Sequence, residues 1–544
     1  MTPFAFARTY TTAEKPPVVI PFRDTPPATK AGALYGMHTY WSKKPHDTIR
    51  AFIRHYSRPG ALVLDPFCGS GGTALAALLE GRVAIALDRS PAAVFIARHY
   101  CQRAETERVR AAAQILWRQL ALPASDLYAT DCDGCGQRAR LLVTLFDHGE
   151  PRGTPHPVEL RYECLGSCRP RSRRRPANER DRHSLAELSA APVGAPYPRN
   201  RMMNEPAKRW GDNWRAGTAS FTRVDQLFTP RNLRAMAILQ REILALADPH
   251  ARDVLLFTFS AHLFAATSMQ QVRSGGGGYA KGTYYVPRKF LERNAFVGFA
   301  RRLNAVLAGK QQLPDPLPPC CHALANATAL PLPDSCIDYL FTDPPYGGAI
   351  QYGELNFLWE SWLGMDTEWH AEEIVINRTR GLEQADWERG MRAALHECQR
   401  VLKHDGYLSL CFQATDATLW AAIQGIMAET GFELMQLTTI EPAQQSYNRL
   451  RRSKTVRRDL VITWKKVLPV KVSRKLVTPT ADESHLCSIV QKFLRDHPDS
   501  PKDRIHDHLV STLIRSGQPC NFRLENILAA AATPTPDGGY LARE

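Results

Sequence analysis

Two short stretches hold residues whose types and spacing can do chemistry, and they lie far apart in the chain. The later one is Asp343-Pro344-Pro345-Tyr346, directly after the apolar run Ile337 to Thr342. Two prolines fix φ twice over and remove two N–H groups, which makes a stiff loop. In such a loop the Asp343 carboxylate and the Pro344 carbonyl can both accept hydrogen bonds from one amino group. The Tyr346 ring can stack on a planar base. An exocyclic amine is a poor nucleophile because its lone pair is delocalised into the ring. Two acceptors holding its hydrogens favour a pyramidal nitrogen with a lone pair free to attack, so preorganised acceptors and positioning suffice. Taken alone, the same four residues also describe a proline-rich turn after a strand.

The earlier stretch is Asp65-Pro66-Phe67-Cys68-Gly69-Ser70-Gly71-Gly72-Thr73, which follows the run Ala61 to Leu64 and precedes an Ala/Leu-rich segment. This reads as strand, glycine loop, helix, a turn that lets backbone approach a ligand. A second strand, residues 82 to 87, ends at Asp88, placed to accept hydrogen bonds from ribose hydroxyls. The loop is not Gly-x-Gly-x-x-Gly, which disfavours a dinucleotide, and no phosphate-binding Lys-Ser/Thr follows. A tight turn with no ligand stays open on this stretch alone. Cys68 reads as a packing residue.

A third group is Cys132-x2-Cys135 with Cys164-x3-Cys168. Two knuckles of this kind can supply four thiolates to one structural zinc, with His148 and His156 between them as substitutes. Four buried free cysteines are the alternative. The other nine of the 13 cysteines are scattered. Two basic runs, Arg169 to Arg175 and Arg449 to Arg458, can meet phosphates or simply be solvated.

Together the two loops resemble the cofactor and catalytic motifs of the amino-group DNA methyltransferases. Tyr40-Trp41-Ser42-Lys43-Lys44-Pro45 resembles the segment packed against the methionine part of the cofactor, and Val401 to Tyr407 the helix-turn-strand after the catalytic loop. More narrowly, with Val224-Asp225-Gln226-Leu227-Phe228-Thr229-Pro230-Arg231, the chain resembles adenine-specific DNA methylases that contain a zinc ribbon. The resemblance covers roughly residues 30 to 465. It implies S-adenosyl-L-methionine held by Lys44, Pro45, Asp65, Phe67, Gly69, Gly71, Asp88 and Asn326. It implies catalysis by Asp343, Pro344, Pro345 and Tyr346, and structural zinc on Cys132, Cys135, Cys164 and Cys168. The partner would be double-stranded DNA with its base flipped out, most simply at adenine N6. Cytosine N4, an RNA adenine, and an inactive zinc-containing DNA-binding protein are the other readings. The sequence departs from the family where Asn326 stands for the acid that contacts the cofactor's adenine. No Pro-Cys-Gln loop of the cytosine-C5 type is present, since Gln518-Pro519-Cys520 lies in the tail.

The elements that must position these residues follow from periodicity. Residues 61 to 100 read as β-α-β-α, the start of a doubly wound, Rossmann-like α/β sheet. The rhythm resumes near residue 320 with a strand at 337 to 342, a helix at 387 to 402, a turn at His404 to Gly406 and a strand at 407 to 412. The expected parts are an irregular arm (1–30), the cofactor part (31–100), an inserted zinc ribbon and basic segment (101–225), a helical insertion for target recognition (226–320), the catalytic part (321–465) and a small C-terminal module (466–544). Residues 169 to 200 read as poorly ordered and residues 274 to 278 as a flexible loop. The chain is 544 residues with 69 basic and 54 acidic side chains, a net charge of +15, which attracts polyanions. It has 44% hydrophobic residues, enough for a sizeable core. No secretory signal or apolar run of membrane-spanning length is visible, so a cytoplasmic protein is expected.

Overall fold

The computed structural model describes residues 1–14, 16–17, 19–22, 32–151, 153–202, 221–273, 276–280, 282–414, 416–440, 459–467 and 482–543. The basic run Arg449 to Arg458 lies outside them. In chain order the strands are Leu62–Asp65 (β1), Val83–Asp88 (β2), Ala129–Asp131 (β3), Arg138–Asp147 (β4), His156–Cys164 (β5), Ser172–Pro176 (β6), Gln271–Arg273 (β7), Gly276–Gly278 (β8), Lys289–Arg293 (β9), Cys320–Leu324 (β10), Ile337–Thr342 (β11), Leu402–Phe412 (β12), Phe432–Ile440 (β13) and Asp459–Lys466 (β14).

Seven of them form the central sheet, in the order β10-β2-β1-β11-β12-β14-β13. β10, β2, β1, β11 and β12 run parallel, and β14 runs antiparallel to both β12 and β13. Counted in chain order this is 3-2-1-4-5-7-6, a doubly wound Rossmann-like sheet whose order reverses between β1 and β11. Its strands are apolar on both faces because both are covered. Val63, Tyr339, Phe341 and Tyr407 pack on one side with the helix His46–Tyr56, whereas Leu62, Leu64, Leu340 and Leu408 pack on the other with the helix Gln384–Val401.

β12 takes in the expected turn. Its pairing with β11 jumps between Ile337↔Leu402 and Tyr339↔Tyr407, so residues 403 to 406 form a bulge, with Asp405 at φ +61°. The N-terminal arm also differs from expectation. Pro3–Tyr10 is a helix, capped by Thr2 and started by a proline, and it buries Phe6 and Ala7 on the sheet.

The insertion is not a loose appendage. β6-β5-β4-β9-β7-β8 form one antiparallel sheet, with β3 beside β4. That sheet crosses the boundary expected at 225/226, because β9 pairs directly with β4. The helices Pro230–Leu244, Pro249–Ala266 and Ala295–Lys310 share a core with the central sheet. The segment read as poorly ordered contains β6 and the helix Glu179–Ala190, closed by a capping box at Asn178 and Asp181. Gly276–Gly278 pairs with β7, so that part of the glycine run is a hairpin strand, and residues 274 and 275 lie outside the described residues.

The tail folds as three helices, Glu483–Asp496, Lys502–Arg515 and Leu524–Ala531, with a small three-stranded sheet. It docks on the catalytic half. Gln424 donates to the Gln518 carbonyl at 3.1 Å and accepts from the Cys520 N–H at 2.9 Å. Among the described residues no helix is long and apolar enough to cross a membrane.

One buried carboxylate ties the middle of the sheet together. Asp338 accepts from the Leu62 N–H at 2.8 Å and from Lys403 Nζ at 2.5 Å, while Lys403 also reaches the Thr12 carbonyl at 2.6 Å. Removing the acid strands a cation that is 9% exposed. Asp338→Ala is therefore expected to cost about 3 kcal/mol, seen as a lowered unfolding midpoint, with Asp338→Asn losing less because it still accepts from Leu62. An unchanged midpoint in Asp338→Ala would remove this pair from the account.

Candidate active site

The C-terminal ends of β1, β2, β10 and β11 meet at one cleft, where the strand order reverses. It measures about 980 Å³ with its open mouth included, and Lys44, Phe67, Gly69, Asp88, Asn326 and Asp343 all line it. Two stretches read separately in the sequence thus share one space.

The glycine loop is shaped by two close approaches. Gly69 has φ +48° and Gly71 φ +80°. A Cβ on Gly69 would lie 2.9 Å from the Tyr40 ring, and one on Gly71 would lie 2.9 Å from the Cα of Ala97 in the next helix. The second neighbour is backbone and cannot swing aside. Asp88 holds the loop from the other side, accepting from the Gly69 N–H at 2.8 Å and the Ser90 N–H at 2.9 Å. Desolvation pushes its carboxyl up to about 6.

Asp65 sits beneath the loop, 3% exposed. It accepts from the Phe67 N–H at 3.1 Å and from the Thr342 hydroxyl at 2.7 Å. Thr342 is the residue before Asp343, so Asp65 connects the two loops. Burial pushes it up to about 7 despite these bonds.

Asp343 faces the cleft. Its Oδ2 lies 3.7 Å from Lys44 Nζ, and its Oδ1 accepts from the Tyr346 hydroxyl. Lys44 Nζ also stands 5.2 Å from the centre of the Tyr346 ring. That ring meets Phe412 edge-on at 5.2 Å, just beyond the cleft. The loop backbone is held by Trp387, whose Nε1 donates to the Pro345 carbonyl at 3.0 Å. Pro344 is buried.

The remaining expected residues divide. Asn326 lines the cleft after β10, but its side-chain oxygen already accepts from the Thr328 N–H at 3.0 Å and the Thr328 hydroxyl at 2.8 Å. Pro45 is the N-cap of the helix His46–Tyr56 and Gly71 that of Gly72–Leu79, so both shape backbone behind the cleft wall. Tyr40 and Trp41 are anchored by Asn356, which donates to Tyr40 Oη at 3.2 Å and accepts from Trp41 Nε1 at 2.9 Å.

One wall had no signal in the sequence. Trp369, Glu372, Glu373 and Ile374 line the cleft from a 3-10 turn, facing Arg89, which pairs with Glu372. Glu373 is buried, paired with Arg380 at 2.8 Å, and accepts from the Gly353 N–H at 3.0 Å. Two adjacent acids ordinarily read as a solvated turn, and only the fold reveals one of them as buried.

The four cysteines come together away from this cleft. Their sulfurs lie within 4.8 Å of one another, with Cys132–Cys168 at 3.7 Å and Cys135–Cys164 at 3.5 Å. Four thiolates around zinc at ~2.3 Å stand ~3.8 Å apart, so the spacing suits that ion. His148 and His156 lie at the opposite end of the β4–β5 hairpin and do not join the cluster. The run Arg169 to Arg175 differs from expectation too. Arg173 pairs with Asp133 at 3.3 Å and Arg175 with Asp181 at 2.5 Å, which leaves fewer charges for phosphates.

The family comparison falls on the cofactor half. Residues 22–99 match a family model described as DNA methylase. Over that stretch the chain is similar to the N6/N4 DNA methylases. The match holds the Tyr40–Pro45 segment, the glycine loop and Asp88, and ends well before Asp343. The putative methylase YubD of Escherichia coli (strain K12) is 43% identical over 47 residues, 9% of this chain. The chain thus spans 21% of that relative's length. Solved structures overlapping part of the chain include a SAM-dependent methyltransferase from Methanosarcina mazei, at 13% identity and TM-score 0.17 over 30% of this chain and 78% of that one. A geranyl diphosphate methyltransferase overlaps at 9% identity and TM-score 0.17, over 32% of this chain and 60% of that one.

The buried acid gives a pH signature. Asp65 is raised to about 7 against an ordinary 3.8, so the folded chain holds its proton more tightly than the unfolded one. The stability this adds is complete below pH 4 and is lost as pH rises through 7. Asp65→Asn keeps an acceptor but has no such loss. Its stability relative to wild type should rise by roughly 3 to 4 kcal/mol between pH 4 and 8. A difference that stays flat across that range in denaturant titrations would show that Asp65 does not carry the shift.

Proposed function

We propose that the chain is a DNA methyltransferase that uses S-adenosyl-L-methionine to methylate the exocyclic amine of a base flipped out of the duplex, with adenine N6 as the target. The observation that carries this reading is the meeting of Asp343 with Gly69 and Asp88 in one cleft. The similarity of residues 22–99 to the DNA methylases supports it.

The cleft suits such a cofactor on its own chemistry. Gly69 and Gly71 leave the loop without side chains at the point of closest approach, and Asp88 offers acceptors for ribose hydroxyls. Lys44 is a cation on the cleft wall that could meet the cofactor's carboxylate, and its Nζ lies 3.7 Å from Asp343 Oδ2. Asn326 is proposed to border the adenine through its amide. The cofactor supplies an electrophilic methyl group.

The chain's own residues would do the rest. Asp343 and the Pro344 carbonyl accept the two amine hydrogens and localise the lone pair on nitrogen. The N–C bond would form as the cofactor's sulfonium S–C bond breaks, leaving a neutral thioether, and one N–H proton would be released towards Asp343. Tyr346 offers its ring as a stacking platform, with Phe412 and the Trp387–Pro345 bond fixing its place. Lys44 stands over that ring and must withdraw before a base can stack there. Duplex DNA is the proposed partner, and the insertion of residues 101–320 is proposed to read the target. The four-cysteine cluster is proposed to hold one structural zinc, since a closed set of thiolates leaves no position for substrate.

Two measurements test this. Asp343→Ala should lower labelled-methyl transfer to DNA by about 100-fold or more without weakening cofactor binding, because the acceptor acts on the amine. Wild-type activity in that variant would refute the catalytic assignment. N4-methylcytosine in the nucleoside digest would keep the acceptor mechanism and replace the base. The zinc assignment is checked separately. Cys135→Ser should lose one equivalent of zinc and destabilise the β4–β5 hairpin, as expected when metal binding is part of folding. Purified wild type whose metal content is unaffected by Cys135→Ser would leave four free thiols instead.

A further inference from the structure

A second group of metal-ligating side chains lies at the other end of the central sheet. Cys320 and His322 are positions i and i+2 of β10, so they project from the same face. Their Sγ and Nε2 atoms are 3.3 Å apart. Cys101 joins them as the C-cap residue of the helix Pro91–Tyr100, its N–H bonded to the Ala97 carbonyl at 3.1 Å. The three ligand atoms lie within 4.8 Å of one another. Cys321, between the two ligands, points to the opposite face and packs in the core there.

We propose that Cys101, Cys320 and His322 bind a second zinc ion, distinct from the four-cysteine cluster. Two thiolates and an imidazole make a borderline-soft set that suits zinc, and hard cations such as magnesium or calcium want oxygen ligands. In a tetrahedral zinc site a sulfur and a nitrogen stand ~3.6 Å apart, close to the observed separation. Three protein ligands leave one position, and a surface cavity supplies it. All three ligands line that cavity, together with Met1, Phe6 and Arg98. Among the described residues β10 is an edge strand, and no further strand pairs with it on that side. Lys310, a buried cation, is engaged by the carbonyls of His99 and Gln102, the latter at 2.5 Å.

The ion would act as a clip. It would join the end of the helix Pro91–Tyr100 to the start of β10. That helix begins next to Ser90 and Asp88, and β10 leads into Asn326, so the clip would brace two walls of the cleft from the opposite end of the sheet. It takes no part in methyl transfer, and it stands whether or not the catalytic reading does.

The test is zinc content of the full-length protein, measured by mass spectrometry of metals after purification without chelator. His322→Ala and Cys320→Ser should each hold one zinc fewer than wild type and keep the zinc that Cys135→Ser removes. His322→Cys, which supplies a third thiolate, should retain the ion. Cobalt(II) added to the metal-free protein should then give sulfur-to-metal charge-transfer bands that strengthen in His322→Cys. Zinc content identical in wild type, His322→Ala and Cys320→Ser would overturn the proposal. So would a Cys101–Cys320 disulfide in freshly purified protein, seen as a loss of two mass units in the intact mass.

Discussion

Asp65 is a carboxylate under the floor of the cleft, and the arrangement above it depends on what it holds. It takes one hydrogen bond from the glycine loop at Phe67 and one from Thr342, which lies 277 residues further along the chain. β1 and β11 are hydrogen-bonded neighbours at the reversal point of the sheet, so their following loops leave side by side. The sheet brings the two loops to the same edge, and Asp65 sets how one stands against the other. A buried acid pushed up to about 7 is a costly way to do this. A serine or alanine would remove that cost and would also free the two loops from each other.

The same sheet explains why a long insertion does not disturb the site. It leaves after the helix Pro91–Tyr100 and returns at β10, which lies next to β2. Departure and return are therefore close together, and parallel pairing of β10 with β2 does not depend on what lies between. The inserted helices then bury their apolar faces on the same core as the helix His46–Tyr56. This makes the insertion a wall of the protein and places it against Trp41 and Asn356, which set the Tyr40–Lys44 segment. Target reading by the insertion, if that is its task, would be mechanically close to the cofactor side of the cleft.

What could be read in the sequence was local. The glycine loop, Asp88 and Asp343-Pro344-Pro345-Tyr346 each sit at a strand end, where apolar runs stop at residues with special backbone demands. Those signals need no knowledge of distant chain. The errors have the opposite character. Arg173 and Arg175 looked like solvated charge because Asp133 and Asp181 become their neighbours only through the β4–β5–β6 pairing. Pro3–Tyr10 is too short to be helical by propensity alone, and its packing on the sheet makes it so. Glu373 and Trp369 reach the cleft through tertiary structure. Cys101, Cys320 and His322 escaped because the first is over 200 residues from the others, so no spacing rule joins them.

Lys44 shows what the geometry adds beyond the motif. Its ammonium is nearly buried, at 9% exposure, and faces Asp343 on one side and the Tyr346 ring on the other. Both groups are the ones that the proposed function assigns to a flipped base. A cation there lowers the acceptor strength of Asp343 and covers the stacking face, so the pair is masked while Lys44 stays. An anion arriving elsewhere in the cleft competes for the same ammonium, and each step Lys44 takes towards it uncovers both groups together. The carboxylate of the proposed cofactor would be such an anion. Under the proposed function, binding of cofactor and base would then be coupled through this one side chain, which the carboxylate end of the cofactor would draw away from Asp343 and Tyr346. A charge-neutral residue at position 44 would leave Asp343 and Tyr346 open and would uncouple the two events.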